Sequence, residues 1–152
     1  MIGLDNLSTL PPKDAAKAES KEKLRQLRKE LFQLQNKFYA DGRFSMLIIL
    51  QGLDASGKDG TIRHAFSSMN PQGVQVKSFK KPTADEVQHD FLWRIYPHFP
   101  TKGMIKVFNR SHYEDILVPK VYNSLKKEVL KHRINLINEL EHHLQANNTV
   151  IV

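Results

Sequence analysis

From Ala15 to Phe38 the chain is charged and free of Gly and Pro, and Leu24, Leu27, Leu31, Leu34 and Phe38 recur at alternating steps of three and four. That spacing draws one apolar stripe along an α-helix, too short to argue a coiled-coil seam and expected to dock onto the domain C-terminal to it. Asp41-Gly42 ends the helix, since glycine accepts the left-handed geometry of a C-terminal cap. Met46 to Leu50 (MLIIL) is an unbroken apolar run of strand length, the pattern of a strand covered on both faces. A helix from Gly57 through Met69 presents Ile62, Ala65, Phe66 and Met69, and Asn70-Pro71 with Gly73 breaks it. Val74 to Phe79 reads as a second strand. Thr83-Ala84-Asp85-Glu86 has the pattern of a capping box and predicts a helix that runs towards Tyr96 and stops before Pro97. Met104 to Phe108 is the third strand. Ser111-His112-Tyr113-Glu114 repeats the capping pattern, and Pro119 limits or kinks the helix it opens. From Leu125, a helical face of Val129, Leu136, Leu140 and Leu144 leads to Asn147-Asn148, and Thr149 to Val152 begin a fourth strand.

Strands alternating with helices over this length predict an α/β fold with a parallel sheet. The expected division is an N-terminal segment and docking helix over 1–43, then a partial α/β domain over 44–152. The composition, 40% hydrophobic and 26% charged with 7 Gly and 7 Pro, is that of a globular chain. Lys and Arg number 23 against 16 Asp and Glu, so the formal charge of +7 points to an anionic partner. Nucleic acid, an acidic membrane face and a small polyanion all satisfy that sign. The absence of cysteine excludes a disulfide framework, thiolate zinc sites and a cysteine nucleophile. MIGLDNLSTLPPKDAAK lacks the apolar core of a signal peptide, and no stretch reaches the roughly 18 apolar residues of a membrane span, so a cytoplasmic protein is expected.

Motifs narrow the choice of anion. Between MLIIL and its helix lies Gly52-Leu53-Asp54-Ala55-Ser56-Gly57-Lys58-Asp59-Gly60, a G-x-x-x-x-G-K run in the strand–loop–helix setting of a P-loop. Gly52 and Gly57 let the backbone curl so that N–H groups of the Ala55, Ser56, Gly57, Lys58, Asp59 and Gly60 stretch converge on phosphate. The helix N-terminus adds partial positive charge, and the Lys58 ammonium neutralises the ligand. Asp59 stands where a P-loop normally has the Ser or Thr that touches Mg²⁺. Another ligand is therefore needed, and Asp54 is the candidate, because a carboxylate among phosphates calls for a divalent cation between them. The alternative for Asp54 is an Asx-type turn. Arg110, at the end of the third strand, can grip phosphate with its fork or sit in a surface salt bridge. Asn109 stands where many P-loop enzymes carry a metal-binding acid, so a link to Mg²⁺ would run through water. Lys80, in Ser78-Phe79-Lys80-Lys81-Pro82, either guides an anion or is a solvated surface lysine. The seven histidines show no H-x-x-x-H spacing, and Trp93 in FLWR reads as core.

LIILQGLDASGKDGTIRHAF, NPQGVQVKSFKKPTADEVQHDFLWRIYPHFP and GMIKVFNRSHYEDILVPKV closely resemble the polyphosphate kinase 2 family, over about three quarters of the chain from Phe38 onward. The resemblance implies a three-layer P-loop kinase-like fold that moves a phosphoryl group between inorganic polyphosphate and a nucleotide with Mg²⁺. Asn-Arg-Ser with HYED directly after it looks like the branch acting on AMP and ADP. Carried over, the resemblance puts Gly52, Gly57 and Lys58 on phosphates, Asp54 on Mg²⁺ and Arg110 on the transferring or neighbouring phosphate. Family members continue past this length with further strands, a basic lid helix and C-terminal helices, so the chain is expected to match an N-terminal half. The competing readings are a non-catalytic phosphate- or nucleotide-binding module completed by a partner chain or a second copy, and an ATP-using kinase of small metabolites, against which Asp59 speaks. Nucleic-acid binding rests on charge alone.

Overall fold

The computed structural model describes residues 16–152; residues 1–15, which hold Ala15 and most of the N-terminal stretch compared with a signal peptide, lie outside the described residues. The elements are α1 (Lys17–Asp41), β1 (Ser45–Leu50), α2 (Lys58–Phe66), β2 (Val74–Ser78), β3 (Ile105–Asn109), α3 (Glu114–Val121), α4 (Lys127–Ala146) and β4 (Thr149–Ile151). All strand pairs are parallel and the order is β2-β3-β1-β4, so β1 and β3 are central.

Each central strand alternates between two cores, as a pleated strand buried on both faces must. Leu47, Ile49 and Phe108 pack with Ile95, Ile116, Ile137 and Leu140 on the α3/α4 face. Met46, Ile48, Leu50, Ile105 and Val107 meet Leu31, Phe38, Ile62, Phe66 and Met69 on the α1/α2 face. Helices on both faces of a parallel sheet make the expected three-layer arrangement. Leu47, Ile95, Val107, Phe108 and Ile137 are fully enclosed, and burial of each contributes roughly 1.5–3 kcal/mol.

Helix α1 meets the sheet through part of the predicted stripe and a neighbouring polar position. Leu31, Gln35 and Phe38 face the sheet, whereas Leu24 and Leu27 are exposed and Leu34 is 61% exposed. Gln35, only 2% exposed, accepts the Asn70 N–H at 3.2 Å and lies over Gly73, where a Cβ would fall 1.9 Å from its Nε2. Two turns earlier Arg28 donates to the His64 carbonyl at 2.6 Å, tying α1 to α2. Gly42 closes the helix at φ 63°, its N–H on the Phe38 carbonyl.

The segment from Thr83 to Phe99 departs from the predicted helix. The capping box does form, with Thr83 N–H on Glu86 Oε2 at 2.8 Å and Glu86 N–H on Thr83 Oγ1 at 3.2 Å. It opens only a 3₁₀ turn at Glu86–Gln88, and a second such turn, containing Pro97, spans Tyr96–His98. His89 is extended, and the Asp90 carboxylate takes the Leu92 N–H at 2.9 Å, which offers the backbone a local alternative to the helix. Trp93 is correspondingly not core: it is 42% exposed and stacks on His89 at 4.0 Å. Ser111 Oγ takes the Tyr113 N–H, but the Glu114 carboxylate binds Gln51 instead of completing a second box. In α4 the inward face is Leu130, Ile137, Leu140 and Leu144, while Val129 and Leu136 are exposed. Arg133 shares that face, donating to the Asp115 carbonyl at 2.8 Å and lying 4.6 Å from the Phe91 ring centre.

Candidate active site

Leu50 pairs with Asn109 and Asn109 with Ser78, so β1, β3 and β2 end level with one another. The strand ends, the loops leaving them and the first turn of α2 carry every residue singled out by sequence for phosphate chemistry, in the crevice where open α/β sheets bind ligands. Loop 52–57 is held in a curled form by positive φ at Ala55 (63°) and Gly57 (91°). A Cβ at Gly52 would lie 2.9 Å from Ser56 Oγ, so a larger residue there would make the serine hydroxyl turn away. Lys58 opens α2 and its ammonium folds across the loop, donating to the carbonyls of Gly52 at 2.7 Å and Leu53 at 2.6 Å.

Arg110 leaves β3 at φ 61°, a left-handed conformation uncommon for arginine, and its guanidinium donates to the exposed Asp54 carboxylate. The two candidate residues, 56 positions apart, therefore form one ion pair. Asp54 is turned to Arg110 in place of an Asx turn. Asn109 Nδ2 donates to Asp59 Oδ1 at 2.6 Å, which occupies the acid at the non-standard P-loop position.

Three clefts meet at Arg110, which lines each of them. The first, about 280 Å³, is the P-loop itself from Asp54 to Gly60. The second, about 320 Å³, runs along Ser78, Lys80, Lys81, Asn109 and Asp59. The third is wider, about 570 Å³, with Gln51, Asp54 and Glu114 on one side and the apolar wall of Leu117, Val121 and Tyr122 on the other.

Sequence reading missed the supports of this groove. Arg94 is 7% exposed; it donates to the Lys80 carbonyl at 2.9 Å and reaches Asp115 at 3.4 Å and Glu86 at 3.7 Å. It thus ties the Lys80 rim to the first turn of α3. A single cation inside the apolar run Phe91-Leu92-Trp93-Arg94-Ile95 is the signal that marks it. Gln51 donates to Glu114 at 2.6 Å and accepts from buried Ser111 at 3.3 Å, fixing α3 against the end of β1. Burial pushes the Asp115 carboxyl up, against the pull of Arg94 and Arg133.

Beneath the groove, buried His112 faces Glu141 at 3.3 Å, and Tyr113 donates to the same carboxylate at 2.6 Å. Burial lowers the His112 pKa below its ordinary 6.5 more strongly than Glu141 raises it. Below 6.5 the unfolded chain therefore takes up a proton that the folded chain refuses, so stability falls as pH drops through that window. Asp115 has the opposite sign: its raised value gives stability that is complete below 3.8 and is lost as pH rises through its folded value. Thermal unfolding of His112→Gln should show a weaker loss of stability below 6.5 than the parent chain does. Equal slopes would mean that His112 is not the group responsible.

A parallel three-layer sheet whose first strand feeds a curled glycine loop and a lysine-headed helix, with an arginine at the tip of the neighbouring strand, defines a P-loop kinase-like protein. The sequence profile of Polyphosphate kinase 2 matches residues 14–152, which takes in α1 as well as the sheet. The chain belongs to the polyphosphate kinase 2 family. It is 43% identical over 139 residues to the AMP/ADP-polyphosphate phosphotransferase of Meiothermus ruber, covering 91% of this chain and 52% of that protein. It is 45% identical over 150 residues to the ADP-polyphosphate phosphotransferase of Rhodopseudomonas palustris, covering 88% of this chain and 52% of that one. The crystal structure of Polyphosphate Kinase 2 from Arthrobacter aurescens TC1 superposes with a TM-score of 0.90 at 38% identity, over 98% of this chain and 55% of that one. The chain spans about half the length of the curated relatives it matches. No described helix is long and apolar enough to cross a membrane.

Proposed function

We propose that this chain carries the machinery for phosphoryl transfer between inorganic polyphosphate and AMP or ADP in the cytoplasm. The observation that supports it best is the meeting of three clefts at Arg110 beside Lys58. A donor, a transferring phosphoryl group and an acceptor need such a junction. The Lys80–Lys81 cleft suits the polyphosphate, because the single carboxylate on it, Asp59, is held by Asn109. The wider cleft suits the nucleotide, whose base and ribose find an apolar wall in Leu117, Val121 and Tyr122.

In the transfer, an ionised phosphate oxygen of the nucleotide attacks the terminal phosphorus of the polyphosphate. One P–O bond forms, the bridging P–O bond breaks, and the polyphosphate leaves one unit shorter; no proton has to move. Catalysis of this kind consists of alignment and charge neutralisation. The N–H groups of Ala55, Ser56, Gly57, Lys58, Asp59 and Gly60 cradle the phosphates, Lys58 swings from the loop carbonyls onto them, and Arg110 bridges donor and acceptor. Among the described residues no group of three or more His, Cys, Asp or Glu is placed to hold a metal by itself. The exposed Asp54 carboxylate beside a phosphate cradle nevertheless fits Mg²⁺, an ion usually held by one or two carboxylates with the substrate's phosphates. Bound there, Mg²⁺ would offset phosphate charge. Phosphate arriving at Arg110 draws the guanidinium away and frees Asp54 for that task.

The test is phosphoryl transfer by the purified chain with Mg²⁺, polyphosphate and AMP or ADP, with circular dichroism to show that it is folded. Formation of ADP or ATP is expected. A folded chain that binds polyphosphate and transfers nothing would instead support the non-catalytic module.

A further inference from the structure

On the α3/α4 face of the sheet, away from the P-loop, lies a cationic patch that the groove does not use. The β2–β3 register pairs Gln75 with Lys106 and Lys77 with Phe108, so the two lysines are diagonal neighbours on one face. Lys106 donates to Gln75 at 2.8 Å, a neutral partner. The Lys77 ammonium lies 5.6 Å from the centre of the Phe79 ring, and the His98 ring lies 5.9 Å from the same centre. All three cationic or titratable groups are half-buried. Among the described residues neither lysine has a carboxylate within 4.0 Å. Glu86, the acid facing them, is already engaged by the Thr83 N–H and Arg94. Burial, and after it the neighbouring lysines, lowers the pKa of both His98 and Lys106, as expected for like charges held close without compensation.

Such a cluster is relieved by an anion, and its position says which kind. Lys77 immediately precedes Ser78, which lines the Lys80–Lys81 cleft, and three residues of chain span about 10 Å. Lys106 lies diagonally across on the next strand, roughly 7–8 Å away. The occupant is thus a linear polyanion leaving the groove over its rim. The one aromatic at the centre of the patch, Phe79, is buried and offers no face for stacking a base, which favours a plain phosphate chain over a nucleic acid. We propose that Lys77, His98 and Lys106 bind the tail of a long polyphosphate whose reactive end lies at the P-loop, an inference that rests on polyphosphate being the ligand of the Lys80–Lys81 cleft.

Calorimetric titration of the chain with tripolyphosphate and with long-chain polyphosphate tests it, comparing the parent with Lys77→Gln/Lys106→Gln and with Lys58→Ala. The double variant should bind long chains about tenfold more weakly and with a shallower salt dependence, yet bind tripolyphosphate like the parent. Lys58→Ala should weaken both ligands. Parent-like binding of long chains by the double variant, or an equal loss for both ligands, would overturn the proposal, as would single-stranded RNA competing as well as long polyphosphate. If the parent binds neither phosphate, the groove assignment fails and this inference with it. Should the double variant not fold, each single variant is expected to show about a threefold loss, by the same arithmetic.

Discussion

Lys58→Ala should lower phosphoryl transfer by ~10³-fold or more, equivalent to about 4 kcal/mol of transition-state stabilisation, while leaving the chain folded. The ammonium is the one cation rooted in the P-loop itself, and it rests on the carbonyls of Gly52 and Leu53 at 2.7 and 2.6 Å. In that posture it is one side-chain rotation from any phosphate in the loop. Alanine removes the charge and keeps the helix, since alanine is the best helix former. The unfolding midpoint should therefore move little, because surface substitutions of this kind stay within about 0.5 kcal/mol. Transfer close to the parent rate would remove Lys58 from the mechanism.

Arg110→Lys should lower transfer by ~10²–10³-fold, although the charge is retained. The position asks for more than charge: Arg110 lines all three clefts and must reach two phosphates from one backbone site. A guanidinium presents a planar fork that can bridge them, whereas an ammonium is a single point. The loss is expected mainly in kcat, with a smaller change in KM for nucleotide, because a lysine can still pair with Asp54 and hold one phosphate. A rate within a few fold of the parent would show that point charge suffices and that the fork has no part in alignment.

Strands, loop and helix cap were legible in the sequence because each depends on neighbours in the chain. MLIIL needs only its own apolar run to declare a strand covered on both sides, and Gly42 and Gly57 mark the φ values of 63° and 91° that they adopt. The helices were harder. Their buried stripes contain Gln35 on α1 and Arg133 on α4, polar residues that bond Asn70 and Asp115 in distant segments. An apolar count skips them and rotates the inferred face onto Leu34, or onto Val129 and Leu136. The stretch from Thr83 to Phe99 carried a true capping box and still did not continue as a helix, because Asp90 bonds the backbone locally. At the site, residue types were readable and their pairing was not. Asp54 with Arg110, Asn109 with Asp59, and Gln51 with Glu114 are contacts between loops that only the sheet brings together.

The level ending of β1, β3 and β2 has a consequence for altering the molecule. Hydrogen-bond register works as a ruler: the groove's three walls are aligned because Leu50, Asn109 and Ser78 sit at the same mark. An insertion inside any of those strands would move one wall by a residue and turn its side chains to the opposite core. Added residues belong at the far end of the sheet, and there Gly73 and Gly103 are closed off by Gln35 and Tyr39 of α1. The turn at Asn147-Asn148, ahead of β4, touches β1 only at its far end, where the Ser45 N–H bonds the Asn148 carbonyl, and so offers a place to carry a label at the opposite end of the sheet from the groove.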